Sequence, residues 1–504
     1  MNVGMLLEMV ARGAADRLVL GSRTGGLTAA GLLEAARRAA RMFLSSRAEH
    51  VVLLDVNSDA LPVVLFGAAI AGLPFAPVNY RLADEQLVAV LAQLAPGLIV
   101  VGDDMVSRVA GLPGLSVMSR RDFMAAVRND RAPHEDAADA DIGPAWVDQE
   151  QIAVLLFTSG TTGTPKSAVL RHRHLVSYIV GSVEFLGADE GDGQLVSVPP
   201  YHIAAVSSVL SSLYGGRRIV YLEAFEPDEW VRAVQSEKIT HAMVVPTMLG
   251  RVLDRVRCEG TALLSLRHLS YGGGRMPVEM IERAMRALPE VDFVNAYGLT
   301  ETSSTIAVLT PEDHREAIAS SNPAVHARLG SVGRRLPTVE VCIRDANGAR
   351  VPDGQRGEVW VRGEQVAGEY LDRRTLTEEG WFPTRDAGWL DAEGFLFLDG
   401  RMDDLIVRGG ENLSPGEIEH TLIRHPAVAD AAVVGILDPE WGQAVAAAVV
   451  LEPGAQATEA ELQEWVRERL RSTKTPKLIR FRDELPYNET GKLLRRTIRS
   501  ELSI

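Results

Sequence analysis

The stretch Thr158-Ser159-Gly160-Thr161-Thr162-Gly163-Thr164-Pro165-Lys166 directly follows the apolar run Ile152 to Phe157. An uninterrupted apolar run of this kind predicts a buried strand. The loop after it suits a polyphosphate, because glycines let backbone N–H groups approach phosphate oxygens while hydroxyls and a lysine add donors and charge. It is not a Walker A loop, since Pro165 stands where that motif has glycine. We therefore predict a nucleotide-phosphate loop at residues 158–166.

Composition limits the classes of protein to which the chain can belong. Its 504 residues are too many for one hydrophobic core, so two or three domains are expected. The net charge of −15 argues against general nucleic-acid binding. The two cysteines, Cys258 and Cys342, form no disulfide or zinc pattern, which favours a cytoplasmic protein. Prolines and glycines interrupt the apolar segment Leu61 to Val78, so we expect a buried helix and strand there rather than a membrane span. The N-terminus has no signal-peptide pattern.

The order of apolar and amphipathic segments predicts an α/β protein. Residues 1–330 alternate strand-like runs with helical patterns, which is typical of βαβ units and parallel sheets. From about residue 330 to 400, short strands with Gly/Asp turns predict a β-rich subdomain. A compact α+β unit follows. We therefore predict an N-terminal domain at residues 1–400 and a C-terminal domain at residues 401–504.

Further stretches that suit nucleotide chemistry follow along the chain. They are Ser270-Tyr271-Gly272-Gly273-Gly274-Arg275-Met276-Pro277, Asn295-Ala296-Tyr297-Gly298-Leu299-Thr300-Glu301, Trp381-Phe382-Pro383-Thr384-Arg385-Asp386 and Leu485-Pro486-Tyr487-Asn488-Glu489-Thr490-Gly491-Lys492. Together with the first loop, they resemble the adenylate-forming (ANL) superfamily, in its AMP-forming acyl/aryl-CoA synthetase branch, over essentially the whole chain. The resemblance implies an N-terminal domain of stacked mixed α/β sheets that carries the β-rich subdomain, and a small mobile α+β C-terminal lid domain.

The activity that the resemblance implies is an ATP-dependent carboxylic acid–CoA ligase. It would form acyl-AMP and then acyl-CoA, with release of pyrophosphate and AMP, using ATP, Mg²⁺ and CoA. Lys492 would bridge the acid carboxylate and the α-phosphate, and Thr300 would contact the α-phosphate. Glu301 and Thr162 would hold Mg²⁺, whose preferred ligands are hard oxygens. His202, in Pro199-Pro200-Tyr201-His202, would take part at the acid.

The implied nucleotide contacts come from the same motifs, together with Arg401 in Gly400-Arg401. They are Thr158, Ser159, Gly160, Thr161, Thr162, Gly163, Lys166, Gly273, Gly274, Arg275, Asn295, Ala296, Tyr297, Gly298, Asp386 and Arg401. Tyr297 would stack on adenine and Gly298 would line the acyl pocket. Asp386 would hold the ribose hydroxyls with Arg401 as its companion. Ser167 and Arg385 depart from the pattern, because the family commonly has glycine at both positions.

The C-terminal region carries the residues that the resemblance assigns to CoA and to domain rotation. Gly409 and Gly410 would leave room for the pantetheine arm, and Trp441 would form part of the tunnel wall. Asp403 matches the hinge about which the C-terminal domain turns between the two half-reactions, although it also fits an ordinary turn. Phosphate contacts for CoA are expected from Arg81, Lys474 and Lys477, which could equally be solvated surface charges.

The acid itself and the acceptor stay open at this stage. The stretch Tyr201 to Ser208 contains no aspartate, which disfavours an α-amino acid, while fatty, aryl and dicarboxylic acids all remain. His202 also fits a packed core histidine. The alternatives to a CoA ligase are an acyl-AMP ligase that loads a carrier protein, a non-catalytic acyl-nucleotide sensor and, more remotely, a luciferase-like oxygenase. The sequence also leaves a homodimer open.

Overall fold

The computed structural model describes residues 1–128, 147–158, 166–259, 262–409, 411–487 and 493–503. Its α-helices are α1 Val3–Gly13, α2 Ala29–Ser45, α3 Ala60–Ala71, α4 Asp84–Ala92, α5 Val106–Val109, α6 Arg120–Arg128, α7 His172–Ser182, α8 Ile203–Gly215, α9 Pro227–Ser236, α10 Pro246–Glu259, α11 Val278–Ala287, α12 Pro311–Ala319, α13 Pro323–His326, α14 Pro415–Ile423, α15 Glu459–Arg469 and α16 Arg495–Leu502.

The strands alternate with these helices up to about residue 310. They are β1 Leu18–Leu20, β2 Leu27–Thr28, β3 His50–Leu54, β4 Phe75–Pro77, β5 Gly97–Val101, β6 Leu115–Ser119, β7 Ile152–Thr158, β8 Lys166–Arg171, β9 Gly193–Val196, β10 Arg218–Tyr221, β11 His241–Val244, β12 His268–Gly272, β13 Asp292–Leu299, β14 Ser304–Leu309, β15 Arg334–Arg335, β16 Glu340–Arg344, β17 Gly357–Arg362, β18 Glu369–Tyr370, β19 Arg373–Arg374, β20 Phe382–Leu390, β21 Leu396–Arg401, β22 Ile406–Arg408, β23 Glu411–Leu413, β24 Val428–Asp438, β25 Gly442–Leu451 and β26 Leu478–Arg482.

Two large mixed sheets form the N-terminal part of the molecule. One has the strand order β19-β18-β8-β7-β4-β3-β5-β6, and the other has the order β15-β14-β13-β12-β11-β9-β10-β1-β2. In both sheets the inner strands are parallel and antiparallel strands lie towards one or both edges. In the first of these sheets, β3 and β5 are buried on both faces, which is why they read as continuous apolar runs in the sequence.

Helices pack between the two large sheets and share one core with them. This core joins buried side chains of α1, α2, α3 and α8 to those of β3, β7 and β10. The segment Leu61 to Val78 belongs here. It forms the buried helix α3, which ends at Gly72 in the left-handed conformation with φ 70°, and then strand β4. Among the described residues, no helix combines the length and apolar character that crossing a bilayer requires.

Two smaller sheets follow in the chain. Strands β16, β17, β20 and β21 form an antiparallel four-stranded sheet, and strands β22 to β26 form the last sheet with α14, α15 and α16 packed against it. The predicted fold class, with mixed sheets, a β-rich part and a smaller C-terminal part, is confirmed. The division at residues 400 and 401 stays a prediction.

Ser414 stands at the N-cap position of α14, but its side chain does not cap that helix. Its hydroxyl donates instead to the carbonyl of Asp399 at 2.7 Å, which ties the start of α14 to strand β21. A capping box begins α15, because Thr458 and Glu461 exchange backbone and side-chain hydrogen bonds.

Candidate active site

Sheet topology gathers several of the sequence motifs at one edge of the nine-stranded sheet. Strands β9, β11, β12 and β13 are neighbours and run parallel, so their carboxyl ends meet at the same edge. His202, the glycine turn after Gly272, and Thr300 with Glu301 follow the ends of β9, β12 and β13. Crevices at the carboxyl ends of parallel strands are the usual ligand sites of open α/β sheets.

Glycines at this edge are required by close backbone approaches. A side chain at Gly298 would place its Cβ 1.8 Å from the carbonyl oxygen of Ser304, and one at Gly272 would place it 2.4 Å from that of Ala296. Gly273 has φ 76°, which suits glycine. Strand β13 therefore turns sharply at Thr300 and returns as β14, with Leu299 paired to Ser304.

Arg275 links the glycine turn to the C-terminal part of the molecule. Its guanidinium Nη1 donates to the carbonyl of Gly416 at the start of α14. A Cβ on Gly416 would lie 2.4 Å from this same Nη1, so a side chain there would displace the guanidinium. Arg275, expected from the resemblance as a nucleotide contact, thus has a protein partner on the C-terminal side. Asn295, a predicted nucleotide contact, donates to the carbonyl of Ser331 at 3.0 Å.

A tyrosine, a carboxylate and an arginine form a connected group beside the turn. The hydroxyl of Tyr297 donates to Asp386 Oδ2 at 2.6 Å, and Arg401 Nη1 lies 3.2 Å from Asp386 Oδ1. Arg401 also donates to the carbonyl of Thr384 at 2.8 Å. Burial and the neighbouring Asp386 raise the pKa of Tyr297 well above its ordinary value, so its hydroxyl keeps its proton and serves as a donor. The structure thus brings together three of the residues that the motifs assigned to nucleotide binding.

Glu301 is held by a segment that the sequence analysis missed. Tyr370 donates its hydroxyl to Glu301 Oε1 at 2.5 Å, and the backbone N–H groups of Ala367 and Gly368 donate to the Glu301 carbonyl at 2.8 and 3.1 Å. Tyr370 stands 69 positions from Glu301. A lone tyrosine at such a distance in a strand of two residues carries no sequence signal for this contact.

His202 is neutral, and two uncharged hydroxyl pairs connect α7 and α8 to β14. His202 is the residue before α8, and burial lowers its pKa, which keeps the imidazole uncharged. Farther along α8, Ser207 accepts a hydrogen bond from Ser304 at 3.1 Å, and Tyr178 of α7 donates to Thr305 at 3.4 Å. Ala204 and Ala205 are buried in the core between the large sheets. Leu299, next to Thr300 in the sequence, packs against the core of the β-rich sheet.

The residues expected at CoA lie on or beside the last sheet, except Arg81, which lies between β4 and α4 and donates to the Tyr80 hydroxyl at 3.2 Å. Gly409 has φ 58°, its N–H donates to the carbonyl of Trp441 at 2.9 Å, and a Cβ on it would lie 2.8 Å from the Trp441 ring. Lys474 pairs with Glu417 at 2.6 Å, and Lys477 pairs with Asp438 at 2.8 Å. Gly409 and Trp441 therefore meet as expected, whereas both lysines carry acidic partners that a phosphate would have to replace.

Asp403 lies at the junction between the β-rich sheet and the last sheet. It belongs to the short 3-10 turn Met402–Asp404, between β21 and β22. Arg385 Nη2 donates to Asp403 Oδ1 at 2.7 Å, and Arg385 itself has φ 63°. The residue that stands where the family commonly has glycine thus keeps the backbone conformation that glycine prefers. The role of Asp403 as a hinge stays a prediction.

Several predicted residues lie outside the part of the chain that the structure describes. These are Ser159, Gly160, Thr161, Thr162, Gly163, Gly410 and Lys492, and the side chain of Thr158 is not described either. Lys166 begins β8, and Ser167 beside it is buried. Among the described residues, the Ser167 hydroxyl has no hydrogen-bond partner.

Comparison with known proteins identifies the family. Residues 7–371 match the family described as AMP-binding enzyme, and residues 417–492 match the AMP-binding enzyme C-terminal domain. A feruloyl-CoA synthase of an Amycolatopsis species is 33% identical over 491 residues, which cover 95% of this chain and 94% of the relative. A 2-succinylbenzoate–CoA ligase of Bacillus cereus is 32% identical over 457 residues, covering 90% and 88%.

Solved structures agree with the sequence comparison. The amide bond synthetase McbA from Marinactinospora thermotolerans superposes with a TM-score of 0.86 at 28% identity, covering 99% of both chains. The o-succinylbenzoate CoA synthetase of Bacillus subtilis, in complex with its acyl-adenylate, superposes with a TM-score of 0.83 at 27% identity, covering 98% of this chain and 97% of the other. The chain belongs to the AMP-binding enzyme family, in its acyl/aryl-CoA synthetase branch. The predicted adenylate-forming, ATP-dependent acid–CoA ligase is confirmed.

Proposed function

We propose that this protein joins an aromatic carboxylic acid to CoA through an acyl-AMP intermediate. Two relatives are named for feruloyl-CoA and 2-succinylbenzoate, whose acids both contain an aromatic ring, which supports an aromatic acid over a fatty acid or an aliphatic dicarboxylic acid. The observation that carries the proposal is the group Tyr297, Asp386 and Arg401 beside Glu301. This group offers hydrogen-bond acceptors in fixed positions and one cation for a nucleotide. It lies at the same edge of the sheet as the residues predicted to contact the carboxylic acid substrate.

In the first half-reaction, a carboxylate oxygen of the acid attacks the α-phosphorus of ATP, and the bond to the bridging oxygen breaks, so that pyrophosphate leaves. Positive charge and donors at the α-phosphate favour this step, because they reduce the repulsion between two anions and stabilise the developing charge. Thr300 and Lys492 are proposed to supply these donors. Asp386 is proposed to accept from the ribose hydroxyls, with Arg401 holding its charge in place.

In the second half-reaction, the CoA thiolate attacks the acyl carbon, the bond to the phosphate oxygen breaks, and AMP leaves. Splitting the reaction in this way gives the thiolate a good leaving group. Gly409 and Trp441 are proposed to border the pantetheine arm. The pairing of Lys474 and Lys477 with carboxylates means that CoA phosphates would have to compete for them. Rotation about Asp403 is the proposed link between the two steps.

Glu301 fits a magnesium ion that arrives with ATP. Its carboxylate is a hard oxygen donor, and the hydrogen bond from Tyr370 engages only one of its two oxygens. Among the described residues there is no cluster of three or more His, Cys, Asp or Glu side chains that could hold a metal alone. This suits Mg²⁺ bound by one or two side chains, water and substrate phosphates. Bound there with Thr162, the ion would neutralise phosphate charge.

We also propose that the protein works in a reducing compartment, the cytoplasm, in line with the exposed free thiol of Cys258.

The test is pyrophosphate release with ATP and Mg²⁺ across ferulate, 2-succinylbenzoate, benzoate, a medium-chain fatty acid and malonate. Each acid is assayed alone, with CoA and with an amine, since one similar structure is an amide bond synthetase. We expect release with an aromatic acid, thioester and AMP with CoA, and loss of release in Lys492→Ala. Arg12→Ala, an exposed residue on α1, is the control. Preference for the fatty acid or malonate would overturn the aromatic class, and amide without thioester would overturn CoA as acceptor.

A further inference from the structure

The segment Ala367 to Leu371, here called the strap, connects the two large sheets next to the nucleotide site. Tyr370 of the strap pairs with Ala168 of β8, and the N–H of Leu371 donates to the carbonyl of Ser167 at 3.2 Å. Strand β8 begins with Lys166, directly after the phosphate loop. One side of the strap is therefore fixed to the strand that follows this loop.

A partly buried ion pair fixes the strap to the same strand a second time. Arg171 at the end of β8 donates to both carboxylate oxygens of Glu369, at 2.9 and 2.6 Å. The two side chains are only 19% and 14% exposed. Bidentate arginine–carboxylate pairs are geometrically specific, because two parallel hydrogen bonds set both position and orientation. Hydrogen bonds from Arg171 lower the pKa of Glu369, so the pair stays charged at neutral pH.

The other side of the strap holds Glu301 by three hydrogen bonds. Two come from the backbone N–H groups of Ala367 and Gly368 to the Glu301 carbonyl, and the third comes from Tyr370 to the carboxylate. The guanidinium of Arg373 lies over the Tyr370 ring, 5.1 Å from its centre, and packs against the face of that ring. Main chain and side chain of Glu301 are thus both fixed from one short segment.

We propose that Tyr370 is a positioning residue that fixes the carboxylate of Glu301 for the divalent cation of Mg–ATP. The inference rests on the proposed function, since it assigns Glu301 to the metal. A hydroxyl donated to Oε1 restricts rotation of the carboxylate and leaves Oε2 for the cation. Groups that hold a metal ligand in this way typically change metal affinity about 10- to 100-fold when removed.

The test compares the full-length enzyme with Tyr370→Phe, which removes the hydroxyl and keeps the ring under Arg373. The first readout is the Mg²⁺ concentration that gives half-maximal pyrophosphate release. We expect this concentration to rise about 10-fold or more in the variant, with a much smaller change in the rate at saturating Mg²⁺. An unchanged Mg²⁺ requirement would overturn the proposal, whatever happens to the rate.

The matched control is Thr240→Val, which also removes a buried hydroxyl. Thr240 precedes β11, at the end of the strand opposite the nucleotide site, and its hydroxyl donates to the carbonyl of Gly193 at 3.3 Å. We expect this variant to lower thermal stability without altering the Mg²⁺ requirement. An equal shift in both variants would overturn the proposal, because it would mark a general effect of loosened packing.

A second readout does not depend on turnover. Binding of a non-hydrolysable ATP analogue is measured by calorimetry with and without Mg²⁺. We expect Tyr370→Phe to reduce the gain in affinity that Mg²⁺ provides and to leave metal-free binding unchanged. If the unmodified enzyme released no pyrophosphate with any acid, the proposed function would be wrong. The binding measurement would still test whether Tyr370 affects Mg²⁺ binding. Equal Mg²⁺ gain in both proteins would refute the role of Tyr370 alone.

Discussion

On the nucleotide side of the site, two carboxylates each accept a hydrogen bond from a tyrosine hydroxyl, whereas on the acid side neutral hydroxyls pair with one another. Asp386 and Glu301 belong to the first group, with Arg401 beside them. The pairs Ser207 with Ser304 and Tyr178 with Thr305 belong to the second. On the nucleotide side, charged side chains are held in fixed positions. On the acid side, neutral hydroxyl groups can distinguish acids only by their shape and by weak polar contacts. Variants on the first side should therefore affect every substrate, and variants on the second should distinguish between acids.

The largest effect on substrate binding is expected from Arg401→Met. It keeps an unbranched side chain but leaves Asp386, whose side chain is only 11% exposed, without its cation. The carboxylate then lacks the charge that holds it in place for the ribose hydroxyls. We expect ATP affinity to fall about 100-fold, which corresponds to about 2.7 kcal/mol, by the same factor for all acids. Calorimetry with ATP measures it, and Arg385→Met, on the exposed pair with Asp403, is the control. A loss that depended on the acid would contradict the comparison.

The largest effect on stability is expected at acidic pH and originates on α7, the helix that carries Tyr178. Burial lowers the pKa of His172 to about 4 and that of His174 to about 3. Both pKa values lie below the unfolded value near 6.5, so the unfolded chain binds more protons below that pH. Stability is then complete above pH 6.5 and falls as the pH drops towards 4. The slope is about 1.4 kcal/mol per pH unit for each histidine.

Urea unfolding at several pH values between 7 and 4.5 measures this slope. His174→Asn keeps an acceptor for the Arg171 N–H and removes one titrating group. In this variant, we expect the slope of the unfolding free energy against pH to be smaller by about 1.4 kcal/mol per pH unit, because one titrating group is absent. An unchanged slope would show that His174 is not held neutral by its surroundings.

A smaller effect is expected at the hydroxyl pair of the acid side. A double-mutant cycle uses Ser207→Ala, Ser304→Ala and the double variant. It isolates the hydrogen bond between the two serines, and a neutral bond of this kind contributes about 1 kcal/mol of free energy. We expect the KM for the acid to change by different factors across the panel while ATP affinity stays constant. An equal change for every acid, or a change in ATP affinity, would place these serines with the nucleotide side.

The smallest effect is expected from Arg385→Gly. Glycine removes the cost of a left-handed backbone at φ 63°, but the variant loses the exposed pair with Asp403 and gains unfolded-state entropy. Each contribution is about 1 kcal/mol or less, so the unfolding free energy should change little. Urea unfolding at low and high salt tests this. A loss above about 2 kcal/mol would mean that the pair stabilises the junction more than an exposed pair does.

The comparison also explains which features could be predicted from sequence. The strands and the residues for ATP were predictable, because buried parallel strands read as apolar runs and phosphate chemistry demands glycines, hydroxyls and charges in short motifs. Asp386, Arg401 and Tyr297 meet in the structure from three such segments.

The contacts between distant segments were not predictable. Tyr370 reaches Glu301, and Arg275 reaches Gly416, through the packing of separate sheets, and neither contact leaves a periodic or spaced signal. The residues on the acid side could not be predicted either, because many small or hydroxyl-bearing residues can occupy these positions and no fixed sequence motif marks them. Ser414 illustrates the same limit, since a residue at a helix start found a partner on strand β21 instead.

The central claim is that the acid oxygen attacks the α-phosphorus of ATP. It is tested most directly by supplying an accepted aromatic acid labelled with ¹⁸O in both carboxylate oxygens, together with ATP, Mg²⁺ and CoA, and analysing the products by mass spectrometry. An acyl-AMP pathway predicts one labelled oxygen in AMP, one in the thioester and none in pyrophosphate. Unlabelled AMP, or label in a phosphate released together with ADP, would contradict the account.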